Sequence, residues 1–574
     1  MGVLLQAAYR RKQGVSVPSP FDGHPAVPWW WDHIAGQAHS FRRAGFTALL
    51  LPPVLKTSAG AFAGADGYGP FDDYDIGNKD QFFSVPTRFG SRDQLQRCVA
   101  ILRANGLDVY IDTVPHHRNG GSDFEYRYLG ANHTSGAGRF PKHRTCFVPN
   151  VPRDPIAGPV RDDFAFGDEL APVNARPAGY VMNGLIDAGD WLTRSLDVQG
   201  YRIDDVKGLA AEFVRRWLTS KAMAGKFAVG EYFDGNPQTL NWWVWGSGMA
   251  GRSNVYDFTL RFALAAMCNN SSRWDMSQLD HAGLAGISPM NAVTFIDNPD
   301  TDLSFPVIWN KLLGYAYILT SEGYPCVFYK DYSTDQGCFG LRHWLDNLIW
   351  IHENLAFGPT VTRFKDYQAI VYERQGEPGL LVGLNNDQYN GWRTVTVQTR
   401  FGGNVELHDY TGNAGNLWTD GAGRATIGIP PNRDGHGYIA YSRTGYGQSF
   451  SVNPKRVTQI VEGAPDLDIP PASNGTNAQV TRIWCGAGSH LRLKSDVNVK
   501  GWSPASEVVV TITGPDGVMV GSQRWQVHGR TPDQLSATVL KTGWQAVHVS
   551  AQEIPAPGVA PFVIHLSYLS TETL

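Results

Sequence analysis

Four acidic residues stand at or just beyond the C-terminal ends of short apolar runs: Asp112, Asp204, Glu231 and Asp300, with His117 close behind the first. Cleaving an acetal needs one carboxylate to attack or stabilise the anomeric carbon and one carboxylic acid to protonate the leaving oxygen. Strand ends around one barrel mouth can hold such a pair at the ~5–5.5 Å separation of a retaining mechanism. Any one of these acids is as well explained by a salt bridge or a loop cap. Placed together at separate strand ends they are not, because no structural need puts acids around a rim and buried charge is costly unless used or paired.

The elements that must position them follow a regular order. Continuous apolar runs at 3–8, 47–51, 108–114, 200–206, 226–232, 254–258, 292–298 and 325–332 read as strands covered on both faces. Helix-like stretches lie between them, among them 91–105, 183–195, 209–220 and 305–319. Eight β-then-α units predict a (β/α)8 TIM barrel over 1–114 and 180–355. The rival, an open doubly wound sheet, would want a Gly-rich loop after the first strand, and none is written there. The segment 115–179 is too long for an ordinary connection and reads as an inserted subdomain beside the active-site face. Alternating segments predict an antiparallel β domain over 356–445, a Pro-rich linker over 446–478 and a C-terminal β-sandwich over 479–574.

Composition narrows the class. The 574 residues carry a net charge of −4, which gives no electrostatic reason to expect nucleic acid or an anionic membrane as partner. A 42% hydrophobic content excludes a disordered chain. The 18 Trp, 23 Tyr and 27 Phe suit both large cores and sugar rings. Six cysteines, with no CxxC pair, write neither a disulfide framework nor a zinc or redox motif. No apolar stretch reaches the ~18–20 residues of a membrane span. Strand-like sequence begins right after Met1-Gly2, so no signal peptide is expected here: either the protein stays inside or a leader has been removed.

At the acids the sequence resembles the α-amylase family of glycoside hydrolases, over nearly all of the first 445 residues. The blocks that carry the resemblance are Asp112-Thr113-Val114-Pro115-His116-His117, Gly200-Tyr201-Arg202-Ile203-Asp204-Asp205-Val206-Lys207, Val229-Gly230-Glu231 and Phe295-Ile296-Asp297-Asn298-Pro299-Asp300-Thr301. Each alone is a weak match, and the four in order are a strong one. The inserted region matches the family's domain B, and the segment from about 357 to 442 matches its C-terminal β domain. The resemblance to bacterial α-amylases and maltooligosaccharide-forming amylases implies Asp204 as nucleophile, Glu231 as general acid/base and Asp300 as the third carboxylate. It implies that Tyr68 stacks on the sugar at the cleavage subsite, that His117 hydrogen-bonds it and that Lys207 touches the leaving-group side. Arg202, two residues before Asp204 on the same strand face, is counted with the substrate-binding residues and is suited to hold Asp204 ionised.

Two departures qualify the resemblance. Pro299 stands where the family usually has a His before the third carboxylate, which removes one sugar contact. For the family's structural calcium, His116 replaces an Asn ligand and Pro172 an Asp ligand, and calcium wants oxygen. Asp162, Asp163, Asp168 and the Gly208 carbonyl remain as oxygen donors, and a calcium-poor or calcium-free site is favoured. No cofactor is expected for the chemistry. Trp29-Trp30-Trp31 is read as packing rather than a sugar groove. Trp484, Trp502, Trp525 and Trp544 in the last domain are read as core more than as a starch-binding platform, and the patterns at Asn132 and Asn474 as chance rather than glycosylation.

The implied activity is retaining hydrolysis of α-1,4-glucosidic bonds in starch and maltooligosaccharides by a monomer, with Glu231 as acid/base and Asp204 as nucleophile. A transglycosylase on the same scaffold and a non-catalytic glucan-binding protein are the rivals. Polymeric starch cannot cross a membrane, so an extracellular or periplasmic location is expected, with an intracellular glycogen or maltodextrin enzyme as the alternative.

Overall fold

Eight short apolar runs pair in parallel and close on themselves in the computed structural model. It describes residues 2–9, 17–23, 27–129, 138–155 and 166–446, then 459–463, 478–485, 487–488, 490–495, 507–526, 534–541, 543–551 and 564–570. The barrel strands are β1 (Leu4–Gln6), β2 (Ala48–Leu51), β3 (Asp108–Thr113), β4 (Gly200–Ile203), β5 (Phe227–Gly230), β6 (Asn254–Tyr256), β7 (Ala292–Phe295) and β8 (Tyr324–Phe328). Each neighbours the next in sequence, and β1 pairs with both β2 and β8, which closes the ring.

Strand side chains alternate between two faces, so each run serves two cores at once. Leu4, Leu50, Tyr110, Val229, Val293, Phe295 and Cys326 fill the interior, while their neighbours Leu5, Leu49, Ile111 and Ile203 pack in the larger cluster beneath the helices. The inward set on β3 runs Tyr110 then Asp112, and on β4 it runs Gly200 then Arg202. Asp112 and Arg202 are partners in the β3–β4 register. Gly200 is required by close approach: a Cβ there would lie 2.6 Å from Tyr110 Cδ1, where the Tyr110 ring stacks on Phe227 at 4.6 Å.

Several strands stop earlier than the apolar pattern suggests, each for a local reason. Strand β4 ends at Ile203 because Asp205 takes a left-handed conformation (φ 42°) and opens the turn Val206–Gly208. Strand β6 ends at Tyr256 because Asp257 caps the helix Phe258–Asn269, accepting from the Leu260 amide at 2.9 Å. The expected helix over 305–319 is corrected more substantially. Thr301–Ser304 forms one turn, residues 305–310 form a loop, and the helix proper is Lys311–Thr320. Asn310 is left-handed (φ 52°), which ends any continuous helix there. Trp30 and Trp31 are buried, and Trp30 Nε1 donates to the Ala7 carbonyl at 2.9 Å, a packing role.

Among the described residues of the segment between β3 and the helix Tyr180–Leu196, His117–Arg118 pairs antiparallel with Asp168–Glu169. Buried ions tie this segment to the barrel beside an apolar seam in which Phe71 packs on Tyr126 and Tyr128. Asp73, on the loop after β2, is bracketed by Arg118 and Lys142 of the inserted segment. Burial opposes ionisation of Asp73, and the two cations outweigh it and hold the carboxyl well below the ordinary range.

After the barrel come a six-stranded and a two-stranded antiparallel sheet over Thr360–Arg443, around a core that includes Val371, Leu381, Ile427 and Ile439. Two four-stranded sheets follow, and one of them takes Gln459–Gly463, a strand inside the stretch expected as linker. Trp525 is buried and Trp544 half-buried. Trp502, Asp162, Asp163 and the Asn132 and Asn474 patterns lie outside the described residues, as does the side chain of Trp484.

Candidate active site

One guanidinium organises the mouth of the barrel. Arg202 is buried, its Nη1 lies 2.7 Å from Asp112 Oδ2 and 2.8 Å from Asp204 Oδ1, and its Nη2 lies 2.6 Å from Glu231 Oε2. The backbone explains why these four meet. Asp112 and Arg202 follow the inward alternation of β3 and β4, while Asp204 and Glu231 are the first residues past β4 and β5. The Glu231 amide donates to the Ile203 carbonyl at 2.9 Å and the Asp204 amide to the Thr113 carbonyl at 2.9 Å, so the sheet ladder continues just far enough to fix both acids. Among the substrate-binding candidates Arg202 is therefore corrected in place. It stands behind the acids as their counter-ion, not at an open sugar contact.

Three carboxyls facing one cation in a buried site cannot all ionise freely. Burial pushes Glu231 up to about 8; Arg202 opposes this, while Asp204 and Asp300 add to it, as does a hydrogen bond between the Glu231 and Asp204 carboxyls. Burial likewise lifts Asp204 to about 7 against the pull of Arg202, with Asp112 and Asp300 adding to the rise. Asp112, raised by burial to about 6, accepts hydrogen bonds from Arg202 and, at 2.7 Å, from Tyr68 Oη. The order leaves a proton on Glu231 when Asp112 and Asp204 have lost theirs.

Asp300 follows β7 and acts electrostatically on Asp204, Glu231 and Tyr68. Its amide donates to Asn298 Oδ1 at 3.1 Å, and the same oxygen accepts from the Thr301 amide at 2.8 Å. Pro299, between them, is buried. Tyr68 lies on the loop after β2, with its ring 5.5 Å from the Arg202 guanidinium. His117 is buried, and its Nε2 lies 2.8 Å from the Tyr68 carbonyl, so a neutral ring donating there orients the Tyr68 loop. Burial lowers His117 to about 4, which keeps it neutral. Lys207 sits at the rim, where Nζ donates to the Phe233 carbonyl at 3.0 Å.

Sequence reasoning passed over two partners. Phe166, in the inserted segment, stacks on His117 at 5.6 Å. Phe233, two residues after Glu231, is 43% exposed at the same rim. Its position so close to an acid at a strand end was the available signal.

Among the described residues, those around His116 do not form a calcium cradle. The buried imidazole fills the space beside Gly208, where a Cβ would lie 2.9 Å from His116 Nε2 and 2.5 Å from Asp205 Oδ2, and His116 Nε2 stands 3.7 Å from that carboxylate. On the inserted segment the Val173 and Asn174 amides, following Pro172, donate to Asp154 at 2.8 Å each, so that carboxylate is engaged by backbone. Asp168 accepts from Tyr126 Oη at 2.7 Å. Among the described residues no group of three or more His, Cys, Asp or Glu side chains is placed to hold a metal ion.

Residues 380–447 match a family model described as Alpha-amylase C-terminal. Over 473 residues the chain is 27% identical to the glucan 1,4-alpha-maltohexaosidase of Bacillus sp. (strain 707), covering 71% of this chain and 86% of the relative. Over 470 residues it is 27% identical to the cytoplasmic alpha-amylase of Escherichia coli (strain K12), covering 69% and 93%. In three dimensions it resembles the gamma-CGTase from alkalophilic Bacillus clarkii, with a TM-score of 0.56 at 16% identity, across 100% of this chain and 97% of that one. At that identity the likeness is one of fold.

Proposed function

We propose that the chain, which is similar to α-amylases and maltooligosaccharide-forming hydrolases, is an α-amylase-family glycoside hydrolase that cleaves α-1,4-glucosidic bonds of starch and maltooligosaccharides with retention of anomeric configuration. The observation that carries this reading is the Arg202 bridge, which holds the Asp204 and Glu231 carboxyls on the two terminal nitrogens of one guanidinium. A retaining pair stands ~5–5.5 Å apart, while an inverting pair needs ~6.5–9.5 Å to seat a water.

In this reading Glu231 gives its proton to the glycosidic oxygen as that bond breaks, and Asp204 attacks the anomeric carbon to form a glycosyl ester. Glu231, now ionised, takes a proton from water, whose oxygen attacks the same carbon and releases Asp204. Asp300 grips the sugar hydroxyls, the Tyr68 ring packs against the sugar, and Arg202 favours the ionised form of Asp204 against its burial while Glu231 holds its proton. The protein works as a monomer. Because a starch polymer does not cross a membrane, we place the reaction outside the cell; fractionating the native host by activity separates this from an intracellular role like that named for the Escherichia coli relative.

The test is a product time course from maltoheptaose and soluble starch, with Glu231→Gln as control and the new anomers read by NMR. Early α-anomeric maltooligosaccharides, absent in the control, are expected. Products longer than the substrate would move the activity to transglycosylation, and glucan binding without turnover would make the chain a binding protein.

A further inference from the structure

Arg202 holds Asp204 and Glu231 by their carboxyls, whereas Asp300 stands at the head of a single turn, Thr301–Ser304, after β7. The Ser304 amide donates to the Asp300 carbonyl at 3.0 Å, so turn and acid move as one piece. A helix of four residues is too short to hold its own place, and the anchors on either side of Asp300 must do so.

Before Asp300 the anchor is Asp297, which is buried and redundantly held. Arg261 Nη2 and Lys311 Nζ each donate to it at 2.6 Å, and the Val307 amide does so at 3.0 Å. After Asp300 the anchor is Asp302, whose side chain is 3% exposed. That carboxylate has one partner among the described residues, Lys330, with Nζ 2.5 Å from Oδ2. A charge-assisted bond of this kind is strong.

Lys330 lies in the turn Tyr329–Tyr332 just past β8, the strand that pairs with β7. Its backbone is pinned: the Phe339 amide donates to the Lys330 carbonyl at 2.8 Å, and the Leu341 amide to the Asp331 carbonyl at 3.0 Å. The Phe339 ring centroid stands 5.8 Å from Lys330 Nζ. Lys330 therefore carries the placement of the β8 end across to the turn that bears Asp300.

We propose that Lys330 is a positioning residue for the cleavage reaction: its ion pair with Asp302 fixes the turn that carries Asp300, and with it the grip of Asp300 on the sugar. The proposal rests on the hydrolase reading and adds a residue to it. A misplacement of ~1 Å in such a site costs up to ~10²-fold in rate, so this one ion pair matters well beyond its stability.

Lys330→Met alone would strand the buried Asp302 carboxylate, so the main variant is the uncharged pair Lys330→Met/Asp302→Asn. Circular dichroism checks its folding, and Asp302→Asn alone takes its place if the pair does not fold. Its kcat/KM on maltoheptaose is expected to fall about ten- to hundredfold. Lys330→Arg, which keeps the charge, should stay within about threefold of wild type.

A second arm measures the Kd of maltoheptaose by calorimetry in Glu231→Gln protein. The uncharged pair should raise Kd about three- to tenfold. It should leave Kd unchanged once Asp300→Asn is also present, because Lys330 acts through Asp300. Three results overturn the proposal and leave the hydrolase reading standing: an unchanged kcat/KM in the uncharged pair, a Lys330→Arg as impaired as the pair, or a Kd rise that persists without the Asp300 carboxylate. If the wild type cleaves nothing, the hydrolase reading fails by itself. A Kd rise that needs both Lys330 and Asp300 then still supports the positioning role, and an indifferent Kd, or no binding, overturns it too.

Discussion

Arg202 Nη2 lies 2.6 Å from Glu231 Oε2, yet Glu231 is the acid that keeps its proton longest, with its pKa raised to about 8. The ion pair is outweighed by burial and by the neighbouring Asp204 and Asp300. Glu231 ionises near 4.5 when unfolded, so the folded state favours its protonated form. That contribution to stability is complete below about pH 4.5 and is lost as pH rises through about 8. Glu231→Gln should therefore cut kcat by ~10²- to 10⁴-fold and raise the melting temperature over wild type at pH 9 more than at pH 5. Calorimetry showing the same difference at both pH values would contradict the assignment.

A lysine cannot replace Arg202. Its single ammonium cannot serve Asp112, Asp204 and Glu231 from the positions that the two Nη atoms reach. Arg202→Lys should lower kcat by about tenfold or more and move the acid limb of the pH–rate profile upward, because Asp204 loses its counter-charge. Arg202→Met should cost ~3–5 kcal/mol of stability by leaving buried carboxylates uncompensated. A lysine variant with wild-type kcat and an unmoved acid limb would show that the bridge is dispensable.

Calcium should do little for this protein, since His116 fills the place beside Gly208 and Asp205. Melting in EDTA and in millimolar calcium should differ by less than ~1 °C, against the ~2.7 kcal/mol that a ligand at a hundred times its Kd adds. A rise of several degrees with calcium would mean that oxygen donors elsewhere form a site.

Pro299 leaves the segment between Asn298 and Asp300 without a side-chain donor. The backbone there is set by Asn298, whose Oδ1 takes both the Asp300 and Thr301 amides, so a larger ring at 299 need not disturb it. Pro299→His should raise kcat/KM on maltoheptaose by about five- to tenfold, the worth of one ordinary hydrogen bond. No gain would indicate that another group already meets that sugar hydroxyl.

The barrel and its rim of acids were legible because one rule governs both. A two-residue alternation that buries Tyr110 and Val229 also aims Asp112 and Arg202 inward and leaves Asp204 and Glu231 at the next positions. What could not be read depended on partners far away in sequence. Asp72-Asp73-Tyr74-Asp75 looks like a solvated charged loop, and only Lys142 and Arg118 arriving from the inserted segment make Asp73 a buried ion. The loop 305–310 continues an apolar pattern that suits a helix, and it is broken by the left-handed Asn310 and by the side-chain bonds of Asn269 and Arg261. The contact of His117 Nε2 with the Tyr68 carbonyl joins two segments 49 residues apart, which no local pattern announces.

The Asp73 junction also constrains how this chain can change over time. Its three charged groups come from two segments, the loop after β2 and the insertion, and none of them is exposed. Losing Asp73 strands two cations in the interior, so a tolerated change there must come with matched replacements on both segments. Asp123 and Arg144, exposed on the insertion and paired with each other, carry no such linkage to Asp73. They can vary while the junction stays the same.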